Sequence, residues 1–227
     1  MVKFIVEYAK NSEAPAVDGR LDGPAYHRNH EPIWSAITAF LSAQSGDVLE
    51  IGSGTGQHAT EFARRTPQLN WWPSDIYDSH LKSIAAWRAH SGLVNLRAPQ
   101  LIDLADPHWT WTGDGGKGGA LTAMLCINVL HISPWPISQN LIAGAGRLLK
   151  EDGCLFVYGP FKRGGKHTAP SNAEFDATLR AENRQWGVRD VDDLNVLAQD
   201  AGLTAADIVP MPANNLVLAF VRTLRQN

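Results

Sequence analysis

Short apolar runs alternate along this chain with stretches where apolar residues recur every three or four positions. The first pattern predicts buried strands and the second amphipathic helices. Strands are expected over 47–51, 70–74, 94–98, 120–128, 154–158, 203–210 and 216–223. Helices are expected over 32–43, 57–65, 78–90, 137–149, 172–182 and 190–201. In the first helix Pro32 takes the opening turn, and Ile33, Ile37, Phe40 and Leu41 share a face. Pro67 and Gly202 stand just past two of the helix ends. The run 120–128 is almost wholly apolar, which predicts a central strand covered on both faces. Strands alternating with helices predict an α/β, doubly wound, mostly parallel sheet, closed by an antiparallel hairpin from the last two strands. Residues 1–22 read as an arm, with a short strand at 2–8, and residues 23–227 read as one domain. A loop at 101–119 carries the glycines of 113–119, and residues 150–153 read as a turn. A polar insert is expected at 159–171.

The composition adds few constraints. The chain has 227 residues, 44% hydrophobic and 19% charged, enough for one sizeable core. Its formal net charge of −3 gives no electrostatic case for nucleic acid or an anionic membrane as partner. Cys126 and Cys154 lie in apolar runs and read as buried thiols, which suits a reducing cytoplasm. No run is long enough to span a bilayer, and no signal-peptide pattern is seen at the start. Of the eight tryptophans, several lie in expected loops and are candidates for lining a pocket.

The stretch Val48-Leu49-Glu50-Ile51-Gly52-Ser53-Gly54-Thr55-Gly56-Gln57-His58 changes the picture most. It reads as strand, glycine loop and helix N-terminus, a geometry that brings backbone N–H groups against a ligand. The glycines are spaced G-x-G-x-G, not the G-x-G-x-x-G of a dinucleotide site. Glu50 sits two positions before the first glycine, badly placed for a pyrophosphate and well placed for an ammonium group. S-adenosylmethionine carries an amino-acid moiety and a sulfonium and has no phosphate. Asp75 closes the next strand at a spacing that suits ribose hydroxyls, and Asp103 is a candidate acceptor for the adenine amino group. The plainer readings remain beside these: a tight turn, a helix cap and a loop carboxylate.

The run 48–56 resembles the first motif of the class I S-adenosylmethionine-dependent methyltransferases. Arg147-Leu148-Leu149-Lys150-Glu151-Asp152-Gly153 is similar to their turn before strand five, with Glu151 and Asp152 where Pro and Gly are usual. From Gly23 onward the chain resembles the methyltransferase-like 26 family, a domain of unknown function 938. The stretches that carry this are Arg28-Asn29-His30-Glu31-Pro32-Ile33, Trp72-Pro73-Ser74-Asp75, Asn128-Val129-Leu130-His131-Ile132-Ser133-Pro134-Trp135, Tyr158-Gly159-Pro160-Phe161, His167-Thr168-Ala169-Pro170-Ser171-Asn172, Trp186-Gly187-Val188-Arg189-Asp190 and Met211-Pro212-Ala213-Asn214-Asn215-Leu216. The resemblance implies a Rossmann-like class I methyltransferase fold with seven main strands, and S-adenosylmethionine as cofactor. It implies no particular acceptor.

The candidate cofactor set is Glu50, Gly52, Ser53, Gly54, Gly56, Asp75, Ile76, Asp103, Leu104, Asn128 and Arg28, whose guanidinium fork suits a carboxylate. Catalytic candidates are His131 as general base, with Tyr158 and Asn128 past strands five and four. On such a sheet, Gly52, Asp75, Asp103, Asn128 and Tyr158 are expected around one crevice at the strand ends. Candidates for the acceptor are Tyr26, Asn29, Arg163, His167, Asn172 and Asn215. Lys162, Arg163, Lys166 and His167 form a basic cluster suited to an anion, or else a solvated loop, and Gly164 and Gly165 are candidate hinges of a lid. Trp135 and Trp186 read as packing residues, and no metal site is expected. The expected function is methyl transfer to a small polar or anionic molecule in the cytoplasm. A non-catalytic binding protein and a nicotinamide-dependent oxidoreductase stand as alternatives.

Overall fold

The computed structural model describes residues 16–113, 116 and 118–223, so the strand expected at 2–8 lies outside the described residues. These residues fall into two compact units. One runs through Asp103 and includes Thr110–Leu125, and the other comprises Leu104–Trp109 and the chain from Cys126 onward.

The first unit contains helix α1 (Pro24–Leu41), strand β1 (Gly46–Ile51), α2 (Gln57–Arg65), β2 (Leu69–Asp75), α3 (Asp78–Ser91), β3 (Gln100–Leu101) and most of β4 (Leu121–Ile127). Its strand order is β3-β2-β1-β4, with β1, β2 and β3 parallel. All seven residues of β4 are buried, as its unbroken apolar run predicts. Helix α1 begins eight residues before the expected start, with Pro24 in its first turn and Pro32 inside it. Asn29, Ile33, Ile37 and Leu41 repeat at four-residue intervals and are all buried. That stripe outweighs the hydrogen bond missing at Pro32, and Arg28, four residues earlier, is exposed.

The third strand also differs from expectation. Within 94–98 only Leu96 makes a bridge, to Trp71, and the strand itself is Gln100–Leu101. Pro99 interrupts the ladder between them. Asn95 turns its amide inward instead, donating to the carbonyls of Ala63 (2.9 Å), Thr66 (3.1 Å) and Leu69 (2.9 Å). Trp111, in the expected loop, is buried edge-on to Trp72, and a Cβ at Gly118 would come within 2.7 Å of its ring. Part of the glycine-rich segment is therefore a packing surface for an indole.

The second unit contains α4 (Trp135–Leu148), β5 (Leu149–Arg163), β6 (Lys166–His167), α5 (Pro170–Glu182), β7 (Arg189–Asp190), α6 (Val191–Asp200), β8 (Leu203–Pro210) and β9 (Asn215–Arg222). β5 is its axis. It pairs antiparallel with β9 from Cys154↔Val221 to Pro160↔Asn215, antiparallel with β6 and parallel with β7. β8 and β9 form the expected antiparallel hairpin. The expected turn at 150–153 belongs to β5, with Asp152 at φ 57° in the left-handed region where the related motif has glycine. The expected loop at 159–171 is mostly the far end of β5, a tight turn and β6. Gly164 and Gly165 form that turn at φ 57° and 75°, and their N–H groups donate to Asp192 (3.1 Å) and Asp190 (2.6 Å), so they are not free hinges. Trp109 is also a core residue: it donates to the Asn140 carbonyl at 2.8 Å and packs where a Cβ at Gly144 would clash with its ring. Trp186 is buried, and Trp135 lies under the Arg189 guanidinium at 5.7 Å.

The chain is thus a mixed α/β protein with mostly parallel central strands and an antiparallel C-terminal part. Among the described residues no helix is long and apolar enough to cross a membrane. Replacing Asn95 with Ala would remove all three of its hydrogen bonds to the carbonyls of Ala63, Thr66 and Leu69 from a buried site. The expected loss is about 3 kcal/mol in denaturant unfolding, whereas a surface change costs under about 0.5 kcal/mol.

Candidate cofactor and acceptor sites

In the first unit the loop after β1 turns on Gly52, Gly54 and Gly56, at φ 67°, 56° and 90°. Three left-handed residues within five explain the alternate glycines. Gly56 has a second reason: a Cβ there would lie 2.9 Å from the Ile84 side chain, so α2 and α3 pack against each other at this point. Ser53 donates its N–H to the Ser74 carbonyl (2.8 Å), and its hydroxyl accepts from the Ser74 N–H (3.1 Å). Asp75 is buried and accepts from the Gly54 N–H (2.9 Å) and the Tyr77 N–H (3.0 Å), with His80 Nδ1 3.0 Å away. Asp75 therefore holds the loop as well as ending β2.

Glu50 is the charged group at the heart of this site. It is 1% exposed, and Oε2 has no hydrogen-bond partner among the described residues. Burial pushes its carboxyl up to about 7, opposed by the Ser53 hydroxyl and assisted by the charge of Asp75. A buried acceptor left unpaired among the described residues, beside a left-handed glycine loop, is suited to a ligand that brings a donor or a cation. Ile76, next to Asp75, and Asp103 are exposed, and the Ile102 N–H bonds to the Asp75 carbonyl at 3.3 Å.

The residues before the glycine loop are tied to it through Gln57, which the motif reading had not singled out. Its Oε1 accepts from the Gly23 N–H (2.7 Å) and the Thr55 hydroxyl (2.9 Å), and its Nε2 donates to Asp22 (2.7 Å). Its place as the first helical residue after the loop was the available signal. Tyr26 stacks on His30 at 4.4 Å and meets His58 edge-on at 5.2 Å. Burial holds Tyr26 above and His58 below their ordinary values, His58 down to about 3. Asn29 Oδ1 lies 2.8 Å from His58 Nε2, so this amide is engaged in joining α1 to α2, while Arg28 is exposed.

In the second unit, Asn128 stands at φ 59° just past β4 and donates its N–H to the Tyr158 carbonyl at 2.9 Å. His131 lies on a single 3-10 turn, Leu130–Ile132. A Cβ at Gly159 would lie 3.3 Å from His131 Nδ1 and 3.9 Å from Asn128 Oδ1, so Asn128, His131 and β5 converge on that glycine. Phe175 meets the imidazole edge-on at 5.5 Å. Burial, and then the charge of Arg189, pushes His131 down to about 4, so the ring is neutral at pH 7. The Tyr158 hydroxyl accepts from Asn215 Nδ2 at 3.0 Å. Asn172 donates to Thr168 Oγ1 and to the Asn214 carbonyl, both at 3.0 Å, pinning the start of α5 to the turn before β9. Leu104 is buried, and its carbonyl accepts from Asn140 at 2.7 Å.

The expected basic cluster is rearranged. Lys162 Nζ (3.0 Å) and His167 Nε2 (3.3 Å) face Asp176 Oδ2, and Arg180 Nε lies 3.1 Å from Oδ1, which also accepts the Val188 N–H at 2.7 Å. Arg163 and Lys166 stay exposed at the turn. Asp176, and the role of Arg189, escaped notice in the sequence because their partners are distant along it; the i, i+4 spacing of Asp176 and Arg180 was a local signal. Burial alone would raise the Asp176 carboxyl, but Lys162, the Val188 N–H and Arg180 together hold it below the usual range. A lowered carboxylate stabilises the fold above its unfolded value and loses that contribution as pH falls through its folded value. Asp176→Asn is expected to cost about 2 kcal/mol at pH 7 in urea unfolding. The gap to wild type should close as pH falls below about 4.

Comparison with known proteins gives a consistent frame. A tRNA (guanine-N(7)-)-methyltransferase of Nitrosomonas eutropha is 27% identical over 177 residues, 76% of this chain and 67% of that protein. An O-methyltransferase family protein from Burkholderia thailandensis superposes with a TM-score of 0.70 at 17% identity, covering 89% of this chain and 58% of that one. Magnesium protoporphyrin IX methyltransferase from Synechocystis PCC 6803, solved with bound SAH, superposes at 0.62 with 15% identity, over 86% of this chain and 81% of that one. This chain thus spans little more than half the length of the O-methyltransferase structure. The structural neighbours share its fold, and the relatives in sequence and structure are methyltransferases. The family described as "Protein of unknown function (DUF938)" matches residues 21–222, nearly the whole chain, and the chain belongs to that family.

Proposed function

We propose that this protein, within the methyltransferase-like 26 group, is an S-adenosylmethionine-dependent methyltransferase acting on a small polar or anionic acceptor. The observation that carries the reading is Glu50: a buried carboxylate oxygen without a partner among the described residues, next to a loop of three left-handed glycines. A second carboxylate near a pyrophosphate would repel it, so the arrangement disfavours a dinucleotide and suits a ligand with an ammonium group and no phosphate. The residues that would hold the donor are Glu50, the Gly52–Gly56 backbone and Asp75, with Ile76 and Asp103 toward its nucleoside end. When bound, the donor supplies a methyl group already activated on sulfonium.

The chain's own part is to position the acceptor and to take a proton where the acceptor carries one. Asn128, His131 and Tyr158 are the groups assigned to that task. His131, neutral at pH 7, has the protonation state of a hydrogen-bond acceptor or base. A nucleic-acid acceptor is the second reading, favoured by the tRNA methyltransferase relative. The net charge of −3 and the commitment of Lys162 and His167 to Asp176 argue against it.

Calorimetry decides the donor. S-adenosylhomocysteine is expected to bind and a nicotinamide dinucleotide is not; the reverse result rejects the reading. A raised carboxyl must ionise to meet an ammonium group, so affinity should fall below pH 7, by at most about tenfold per pH unit. Glu50→Gln should flatten that dependence. In the free protein the sign is opposite. The raised carboxyl contributes stability below its unfolded value and loses it as pH rises toward 7, so Glu50→Gln should gain on wild type as pH rises.

A further inference from the structure

The His131 turn is held from one side by a segment with no assigned role. Arg189 Nε donates to the Leu130 carbonyl at 3.0 Å, and its Nη2 donates to the carbonyls of Ser133 and, at 3.1 Å, Gln185. The Gly187 N–H donates to the His131 carbonyl at 3.0 Å. Carbonyls at 130, 131 and 133 are thus gripped by residues 187 and 189. The grip is anchored in turn: Val188 N–H bonds to Asp176, Arg189 pairs in β7 with Phe161 of β5, and the guanidinium lies over Trp135. Gly187, at φ 146°, leaves no room for a side chain, since a Cβ would sit 2.7 Å from Asp176 Oδ1.

No carboxylate among the described residues forms an ion pair with Arg189. A half-buried guanidinium bonded only to carbonyls keeps its full charge beside the ring. The other charged groups on the elements around the ring are Glu174, Asp176, Arg180 and Glu182 on α5 and Lys150, Glu151, Asp152, Lys162 and Arg163 on β5, of which Asp176 is matched to Lys162 and Arg180.

We propose that Arg189 is the positioning residue for His131: its fork fixes the Leu130–Ser133 turn, and with it the imidazole beside Gly159. Its charge adds to burial, the larger cause, in disfavouring a protonated ring. This rests on the reading of His131 as an acceptor-side group. Arg189 acts through the ring and touches no reacting atom. A neutral, fixed imidazole presents a lone pair at working pH, which a freely rotating or protonated ring does not.

The test is a nuclear magnetic resonance titration of the His131 ring in the full chain, its signal identified by its loss in His131→Asn. In wild type the ring is expected to stay neutral down to about pH 4. Arg189→Gln removes the charge, and the midpoint should rise by at least about half a pH unit, burial still holding it below 6.5. Arg189→Lys keeps the charge and loses the fork. Its midpoint should stay low, while the Gly187 amide exchanges at least about fivefold faster with solvent. An unchanged midpoint in Arg189→Gln, or unchanged exchange in Arg189→Lys, overturns the proposal. If Arg189→Gln does not fold, Arg189→Lys decides alone. Binding of S-adenosylhomocysteine to wild type judges the methyltransferase reading separately, because it reports on the glycine loop and not on His131.

Discussion

A carboxylate buried without a full set of partners is costly, and Glu50 is such a group at the end of β1. The first unit is arranged so that this cost is borne. The Ser53 hydroxyl and the Ser74 hydroxyl both reach the Glu50 carbonyl, fixing the backbone from which the side chain projects. Asp75 ties the loop down through Gly54, and Gln57 ties Asp22 and Gly23 to its outer side. The left-handed glycines let the chain turn within five residues. A structure that spends so many contacts on one under-satisfied acceptor fits a site completed by a ligand.

The second unit solves a different electrostatic problem. Asp176 collects Lys162, Arg180 and His167, so charges that look like an anion-binding patch in sequence are largely internal counter-ions. Arg189 forms no ion pair among the described residues and serves the carbonyls of the His131 turn. The acceptor side as proposed combines one neutral imidazole, a tyrosine hydroxyl held by Asn215 and an edge-on phenylalanine. That set favours an acceptor recognised by a few directed polar contacts.

Much of this was legible in sequence, for physical reasons. Helix α2 has its predicted bounds because a glycine loop starts it and Pro67 follows it; β8 and the antiparallel partner β9 followed from two apolar runs around a turn. The glycine loop and its two carboxylates were visible because their spacing is local. Errors arose where distant partners override local signals. Pro32 looked like a helix start, yet buried Asn29 extends the stripe backward to Pro24. The insert after Tyr158 looked like a loop because its polar residues hide a pairing with β6 and β7. The roles of Asp176, Arg189 and Gln57 depend on contacts across the fold, which no periodicity reports. The burial of Trp109 and Trp111 was not visible because a loop position does not reveal it.

The central claim is that Glu50 and the Gly52–Gly56 loop form the donor site. A crystal structure of the protein with S-adenosylhomocysteine tests it most directly. The account predicts the ligand along that loop, with Glu50 Oε2 accepting a hydrogen bond from it. A ligand seated elsewhere, or a Glu50 carboxylate left unpaired beneath a bound ligand, would contradict it.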